Sequence, residues 1–364
     1  MAKLKEIYER IYSGVRVTLE EASSLYAGAP LAELMALGNM MRQRLHPGDD
    51  VSWMIDRNMN ITNVCVSGCK FCNYYRGRNH PEAYVTPLDE YREKITETFR
   101  LGGEQILLQG GMHPELGLSF YMKLFRELKL MEPRLKLHTL GPPEVVHLAK
   151  MEGLTSKEVL QELLAAGMDS LPGAGAEILV DRVRKIVSPA KCSADEWLDV
   201  MREAHSMNVL TSATMMFGHA EKPDERVQHL IRLREVQDEK PDTSPGFMSF
   251  IAWPFQDEGT TLARVLGIHN SVKATDYLRM ISLARIVLDN IPHIQASWLT
   301  VGRDVAQLCL HAGADDLGSI MIEENVVSQA GASFRMNADE MKDTIKQAGF
   351  TPVLRDQGFN RREI

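Results

Sequence analysis

The sequence NITNVCVSGCKFCNYYR, residues 60–76, contains three of the five cysteines of the chain. Cys65, Cys69 and Cys72 follow the spacing C-x3-C-x2-C, which places three soft ligands in one short loop. Thiolates this close together suit a transition metal or an iron–sulfur cluster. No C-x2-C or H-x3-H pair lies downstream to complete a closed zinc site. Three thiolates can instead hold a 4Fe-4S cluster by three irons, so that the fourth iron stays open to another ligand.

Composition and charge narrow the class of protein. The chain has 364 residues, of which 44% are hydrophobic and 25% charged, as in an ordinary globular protein. A net charge of −8 without a basic face argues against nucleic acid as a partner. No apolar run is long enough to cross a bilayer, and the first residues lack the apolar segment of a signal peptide. Cys192 and Cys309 stand alone, so we expect a reducing, cytoplasmic location and no membrane partner.

Strand-like and helical segments alternate from residue 58 onward. The sequence predicts eight strands, at 59–64, 105–109, 135–140, 168–171, 209–217, 246–253, 294–299 and 318–322. It predicts helices at 88–101, 119–130, 156–166, 194–207, 223–239, 275–289, 303–312 and 337–347. This alternation favours an α/β fold, a (βα)8 TIM-type barrel, over an open doubly wound sheet.

The first 50 residues differ from the rest because they read as helices alone. Thr18 and Glu21 form a capping-box pattern at the start of one of these helices. We therefore predict an N-terminal helical extension at 1–50, outside or below a barrel domain at 51–364.

In a barrel, chemistry gathers on the loops that follow the strands. The cysteine loop follows the first predicted strand, and Gly110-Gly111 follows the second. His138, His219 and Glu323 each fall at or beyond the carboxyl end of a strand, where they are candidate proton acceptors. A histidine in such a place is also commonly a hydrogen-bonded structural residue, so the choice among the three stays open.

The motif C-x3-C-x-aromatic-C resembles that of the radical S-adenosylmethionine (SAM) superfamily. The resemblance implies that Cys65, Cys69 and Cys72 hold a 4Fe-4S cluster and that SAM binds the open iron as a consumed cosubstrate. Phe71 matches the aromatic position that packs beside the adenine.

The resemblance also suggests where SAM lies. The string Gly102-Gly103-Glu104 spells a motif that binds the SAM amino group in many members, but it precedes its strand, so we prefer Gly110 and Gly111. Glu177 resembles the acidic residue that holds the SAM ribose, although it also suits a first-turn helix glutamate. Arg184 is a candidate partner for the SAM carboxylate, with a solvated helix face as the alternative.

Several loops together resemble one group of this superfamily. That group contains aminofutalosine synthase, cyclic dehypoxanthine futalosine synthase and the tyrosine-using subunit of deazaflavin synthase, and the resemblance covers roughly residues 58–332. Residues 251–256 and 289–298 are most similar to the cyclic dehypoxanthine futalosine synthases.

This resemblance implies a reaction. A 5′-deoxyadenosyl radical takes the C4′ hydrogen from the ribose of dehypoxanthine futalosine, and the ring closes onto the benzoate, on a route to menaquinone. It also implies an external one-electron reductant such as flavodoxin or ferredoxin. The alternatives are aminofutalosine synthase, a sulfur-inserting enzyme similar to biotin synthase, and an electron-transfer protein.

Overall fold

Ten parallel strands form a single sheet in the computed structural model, which describes residues 2–363. The strands are β1 (Asp50–Met54), β2 (Asp56–Asn60), β3 (Gln105–Gln109), β4 (Lys136–Thr139), β5 (Ser170–Leu171), β6 (Leu210–Phe217), β7 (Phe247–Pro254), β8 (His293–Ala296), β9 (Asp316–Ser319) and β10 (Thr351–Leu354). The sheet order is β10-β1-β9-β8-β7-β6-β5-β4-β3-β2.

Helices surround the sheet. They are α1 (Ala2–Tyr12), α2 (Leu19–Gly28), α3 (Leu31–Leu45), α4 (Leu88–Arg100), α5 (Leu118–Met131), α6 (Pro142–Glu152), α7 (Ser156–Ala165), α8 (Asp181–Val187), α9 (Ala194–Ser206), α10 (Pro223–Asp238), α11 (Thr261–Leu266), α12 (Ala274–Val287), α13 (Trp298–Val301), α14 (Arg303–Leu310) and α15 (Ala338–Gln347). Among residues 2–363, no helix combines the length and the hydrophobicity needed to span a membrane.

The sheet curls into a barrel because β1 and β2 are two halves of one chain segment, separated by Ile55 alone. β1 pairs with β9 and β10, whereas β2 pairs with β3. The N–H groups of Ile320 and Ile322 also donate to the carbonyl oxygens of Met54 and Asp56, both at 3.1 Å. Counting β1 and β2 as one strand, eight strands therefore form the ring, which confirms the predicted TIM-type barrel and rules out the open sheet.

The positions of the eight predicted strands are confirmed, with their ends displaced by a few residues. The prediction was wrong at the end of the seventh, because the chain turns into α13 at Trp298 instead of continuing as a strand to residue 299. β1, β10 and helices α6, α8, α11 and α13 were not predicted. The two extra strands pair only with each other or with β9, and their short apolar runs give no signal distinct from a helix end.

The inner face of β2 is polar. Asp56, Asn58 and Asn60 alternate along the strand and line the barrel interior, as the two-residue period of a strand requires. On the outer face, the buried guanidinium of Arg57 pairs with Glu97 of α4 and with Glu323. A strand with this composition is expected only where its inner face meets a polar cavity.

Helices α1–α3 precede the barrel, and the capping box of Thr18 and Glu21 is confirmed at the start of α2. α3 packs closely on α12, where Gly38 faces Ser282 and the carbonyl of Ala312. Apolar side chains of the three helices belong to the same core as the barrel. The extension therefore lies on the outside of the helical layer, as expected, while a division into two domains at residue 50 stays a prediction.

Substitution Gly38→Ala should destabilise the protein. A Cβ at this position would lie 3.0 Å from Cα of Ser282 and closer still to the carbonyl oxygen of Ala312, both of which are backbone atoms. We expect the free energy of unfolding to fall by about 1–3 kcal/mol, measured by denaturant titration. The control is Gly28→Ala, also in a helix, where the nearest atom is 4.0 Å away and the change should stay within about 0.5 kcal/mol. Equal effects of the two variants would contradict this packing.

Candidate active site

The cysteine loop begins directly after β2, at the carboxyl end of the barrel. Its two ends are held together, because the N–H of Cys65 donates to the carbonyl of Arg76 at 3.1 Å and the N–H of Arg76 to that of Asn63 at 2.7 Å. Ser67 Oγ lies 2.9 Å from Sγ of Cys65 and 3.3 Å from Sγ of Cys69. Cys65, Cys69 and Cys72 all line one cavity. The three thiols that the spacing singled out therefore share a site.

Gly111 lets the loop after β3 approach the cysteine loop. A Cβ at Gly111 would lie 2.8 Å from Cβ of Cys65 and closer still to the carbonyl oxygen of Val64. The next residue, Met112, donates its N–H to Sγ of Cys65 at 3.3 Å. Three sulfur donors, a backbone donor aimed at one of them and the absence of a side chain at residue 111 fit a three-thiolate 4Fe-4S cluster.

Phe71, Glu177 and a buried lysine lie on one side of this cavity. The Nζ atom of Lys191 is 5.3 Å from the centroid of the Phe71 ring and 2.7 Å from Oε1 of Glu177. Burial opposes the charge on Lys191, but the negative charges of Cys69, Glu177 and Glu144 outweigh burial and raise its pKa above the usual value. Lys191 therefore stays protonated and holds Glu177 in place.

The two glutamates beside Lys191 have carboxyl groups in different surroundings. Glu177 has one carboxylate oxygen, Oε2, that is buried without a hydrogen-bond partner within residues 2–363. Its backbone also has a positive φ of 43°, an uncommon conformation for a residue other than glycine. Burial raises the pKa of Glu144 to about 7, in spite of the opposing charge of Lys191. Lys191 and Glu144 belong to no motif that would mark them in the sequence.

The structure does not place Arg184 at the cavity. Arg184 is 3% exposed, and its side chain does not line the cavity. It donates to the carbonyl oxygens of Gly175 at 3.1 Å, Ala176 at 2.7 Å and Cys192 at 2.7 Å. With its donors committed to backbone, Arg184 fixes the loop between β5 and α8 and is not placed to bind a SAM carboxylate.

Of the three candidate proton acceptors, the structure brings only His138 to the cavity. Its Nδ1 lies 2.7 Å from Oγ of Ser170, and burial lowers its pKa to about 3. His219 is oriented away from the cavity, with Nε2 2.9 Å from the carbonyl of Met216 and Nδ1 3.0 Å from Glu221. The structure therefore does not bring His219 to the site.

Glu323 is also misplaced for a proton acceptor. Its carboxylate is outside the barrel, 2.7 Å from Nζ of Lys94 and 3.4 Å from Arg57. The neighbouring Glu324 lines the cavity instead, but it accepts three N–H groups, from Val326, Val327 and Ser328. The prediction assumed that side chains keep alternating between the two faces of the strand after β9. The alternation does not continue there, because Met321 has a positive φ of 51°.

The cavity occupies about 420 Å³ and extends from the cysteines into the barrel. The end of the chain closes it from below: Arg355 forms two hydrogen bonds with Asp316, at 2.7 and 2.9 Å, and Gln357 lies 3.0 Å from Gln105. Thr300 and Gln256 line the cavity, whereas Asn325 does not. The remaining polar side chains on the wall were not found from the sequence, and they include Asp56, Asn58, Asn60, Gln105, Gln109, Ser249 and Gln295.

Comparison with known proteins agrees with this site. Residues 59–233 match the model of the radical SAM superfamily, and residues 244–364 match the CofH/MqnC C-terminal region. The chain is 44% identical to cyclic dehypoxanthine futalosine synthase of Streptomyces coelicolor, over 97% of this chain and 88% of that one. It is 37% identical to aminodeoxyfutalosine synthase of Thermus thermophilus, over 97% and 94%.

The fold is similar to that of the crystal structure of methylornithine synthase, with a TM-score of 0.73, 18% sequence identity and coverage of 96% and 98% of the two chains. A parallel barrel with three clustered cysteines after its first strand defines the class. The chain belongs to the radical SAM superfamily and, within it, to the group that carries the CofH/MqnC C-terminal region. It is therefore an enzyme, of a family that uses a 4Fe-4S cluster and SAM.

Substitution Gly111→Ala should weaken cluster binding. The added methyl group would push the cysteine loop away from the loop after β3. We expect anaerobically reconstituted G111A to retain less than half of the iron of the wild type, which itself should bind roughly four irons per chain. The matched control is Gly77→Ala, near the end of the cysteine loop, where an added Cβ meets nothing within 4 Å and iron content should not change. Full iron content in G111A would show that the two loops can separate without loss of the cluster.

Proposed function

We propose that the protein cyclises dehypoxanthine futalosine to cyclic dehypoxanthine futalosine, a step on the futalosine route to menaquinone. The observation that carries this proposal is the 44% identity to a cyclic dehypoxanthine futalosine synthase, which extends over both the cysteine loop and the C-terminal region that closes the barrel. The enclosed cavity below the cysteines supports it, because radical chemistry needs a site from which water is excluded.

The residues that would hold the cofactors are those around the cysteine loop. Cys65, Cys69 and Cys72 would bind the cluster, Phe71 would pack beside the adenine, and Glu177 would accept hydroxyl groups of the SAM ribose. The backbone at Gly110 and Gly111 would lie against the methionine part of SAM. When bound, the cluster and SAM together supply the one-electron chemistry that generates a carbon radical. Its electron would come from a small external donor such as flavodoxin or ferredoxin, in the cytoplasm.

His138 is the residue of this chain that we propose as the acceptor of the proton from the benzoate ring. The tautomer with hydrogen on Nδ1 donates to Ser170 and leaves the lone pair of Nε2 facing the amide of Gln357, whose nitrogen lies 3.4 Å away and would have to give way to the substrate. Because burial lowers its pKa to about 3, the ring stays neutral above that pH. A neutral imidazole can accept a proton, so protonation of His138 in the resting enzyme should not limit the reaction between pH 6 and 9.

The second candidate function is aminodeoxyfutalosine synthesis, which the 37% identity to the Thermus thermophilus enzyme favours. The two functions differ in the fate of the adenosyl group. A cyclase releases it as 5′-deoxyadenosine, whereas an adduct-forming enzyme retains it in the product.

The decisive experiment uses anaerobically reconstituted protein with dithionite, SAM and dehypoxanthine futalosine. We expect the substrate to lose two hydrogen atoms while one 5′-deoxyadenosine forms per turnover, both followed by mass spectrometry. Deoxyadenosine with unchanged substrate would keep the protein in the superfamily and contradict the cyclase. An adenosyl adduct formed from an enolpyruvyl ether would establish the second candidate.

Substitution His138→Gln should separate radical formation from product formation. We expect the yield of cyclised product to fall about 100-fold, the usual scale for loss of a general base, while SAM cleavage continues. His147→Gln is the control, because His147 bonds to a backbone carbonyl outside the cavity and its loss should leave both yields unchanged. If His138→Gln lowered SAM cleavage and cyclisation by the same factor, His138 would not be the proton acceptor.

A further inference from the structure

The middle of the barrel wall carries four inward-facing carboxamides: Asn58 and Asn60 on β2, Gln109 on β3 and Gln295 on β8. Within residues 2–363, the side chains of Gln109 and Gln295 form no hydrogen bond. Asn58 likewise has none, and its Oδ1 is buried. Asn60 only accepts a weak bond from Asn325, at 3.3 Å, and its Nδ2 is unused. A buried amide oxygen without a partner, as in Asn58, is costly unless a ligand or water pairs with it, whereas the half-buried amides of Gln109 and Gln295 are free to bind a ligand.

These carboxamides share one arc of the wall. β8, β9, β2 and β3 are consecutive around the ring, with β9 joined to β2 through the β1–β2 segment. Asn58 and Asn60 are two residues apart, so they face the same way about 7 Å from each other along the strand. Gly318 of β9 makes room for the amide of Gln295, since a Cβ there would lie 2.5 Å from Cδ of Gln295. In the strand register Gln109 pairs with Asn60, whereas Gln295 pairs with Asp316, which in turn pairs with Ser52. The amides therefore line one sector of the wall, with Gln295 nearer its floor.

The charges of the cavity lie above and below this arc. Glu144, Glu177 and Lys191 are at the cysteine end. Asp56 lies at the start of β2, and Arg355 is neutralised by its two bonds to Asp316. Glu324, which follows β9, has its carboxylate occupied by the N–H groups of Val326, Val327 and Ser328. The four carboxamides are themselves neutral, so they suit a neutral ligand that both donates and accepts hydrogen bonds. A carboxamide has an acceptor and a donor side by side, which complements two neighbouring hydroxyl groups.

The opposite wall has a different character. Met216 of β6 and Ile251 and Trp253 of β7 face the cavity there, together with the small hydroxyl side chains of Ser212, Thr214 and Ser249 on the same strands. This side offers apolar and aromatic surface, which suits an aryl ring. A ligand with a sugar at one end and a ring at the other would therefore be oriented by the contrast between the two walls.

We propose that Asn58, Asn60, Gln109 and Gln295 form a sugar subsite that binds the hydroxyl groups of the substrate. This inference rests on the proposed function, because the sugar is that of dehypoxanthine futalosine. The subsite holds the ribose by neutral hydrogen bonds, while the aryl end packs against Met216, Ile251 and Trp253.

The first test needs no variant and uses the reconstituted wild-type enzyme with substrate analogues that each lack one ribose hydroxyl. We expect removal of a hydroxyl bound by the arc to raise the KM about tenfold, because an amide in the wall is left unpaired. The apparent affinity for SAM, followed by its effect on the EPR spectrum of the reduced cluster, should not change. Analogues that all bind as tightly as the substrate would mean that the amides pair with water only, and the subsite would be rejected.

The second test crosses variants with the analogues. Asn58→Ala and Gln295→Met should each raise the KM for the full substrate about tenfold. In each variant, removing the hydroxyl that the replaced residue binds should raise the KM no further. Gln161→Met, at an exposed position of α7, is the control and should behave as the wild type. If the increase in KM caused by each variant multiplied with the increase caused by every missing hydroxyl, no variant would match a particular hydroxyl. That result would overturn the assignment.

The same experiment separates the two proposals. If the wild type neither binds nor converts dehypoxanthine futalosine, the proposed function fails and the sugar subsite fails with it. If the wild type converts the substrate and neither the analogues nor the variants alter the KM, only the sugar subsite fails.

Discussion

The structure depends on how the segment from Asp50 to Asn60 bonds to both ends of the sheet. Its first half, β1, pairs with β9 and β10, and its second half, β2, pairs with β3. Without that double role the strands would form an open sheet with exposed edges. The cysteine loop leaves this segment directly, so the closure that makes the barrel also fixes the origin of the candidate cluster site. Gly111 then sets its distance from the neighbouring loop.

The order of the elements could be read from the sequence, and the direction of individual side chains could not. Strand-like runs located the strands of the ring, except that the run at 59–64 overlaps the polar β2 only at its last two residues. The cysteine spacing identified the loop that carries the chemistry. The placement of histidines at strand ends gave three equivalent proton acceptors, because position in the chain does not reveal which side of the backbone a side chain takes. The structure separates them: His138 faces the cavity, while His219 turns back to the carbonyl of Met216.

The errors and omissions share a physical cause, which is contact between residues distant in sequence. Arg184 looked like a ligand for an anion, but a guanidinium has five donors, and carbonyls of two loops use them. Lys191 lies in the short connection between α8 and α9, where no pattern marks it, yet it meets Phe71 and Glu177. Gln357 reaches the cavity floor beside Gln105 from the end of the chain. Such partners are visible only in the folded molecule.

The polar strand β2 acquires a meaning once the charges around it are considered. Lys191 pairs with Glu177 near the cysteines, Arg355 pairs with Asp316 near the floor, and the carboxylate of Glu324 accepts backbone N–H groups. A charge beside a reactive carbon radical would change the relative stability of the electronic states of that radical, and it would also attract water. Neutral amides can bind hydroxyl groups without either effect. Apolar residues at positions 58 and 60 would give a more stable barrel, but they would offer no hydrogen-bonding group to a ligand. The cost of leaving Asn58 and Asn60 inside the core is thus an argument that a hydroxyl-bearing ligand, and not the fold, selects them.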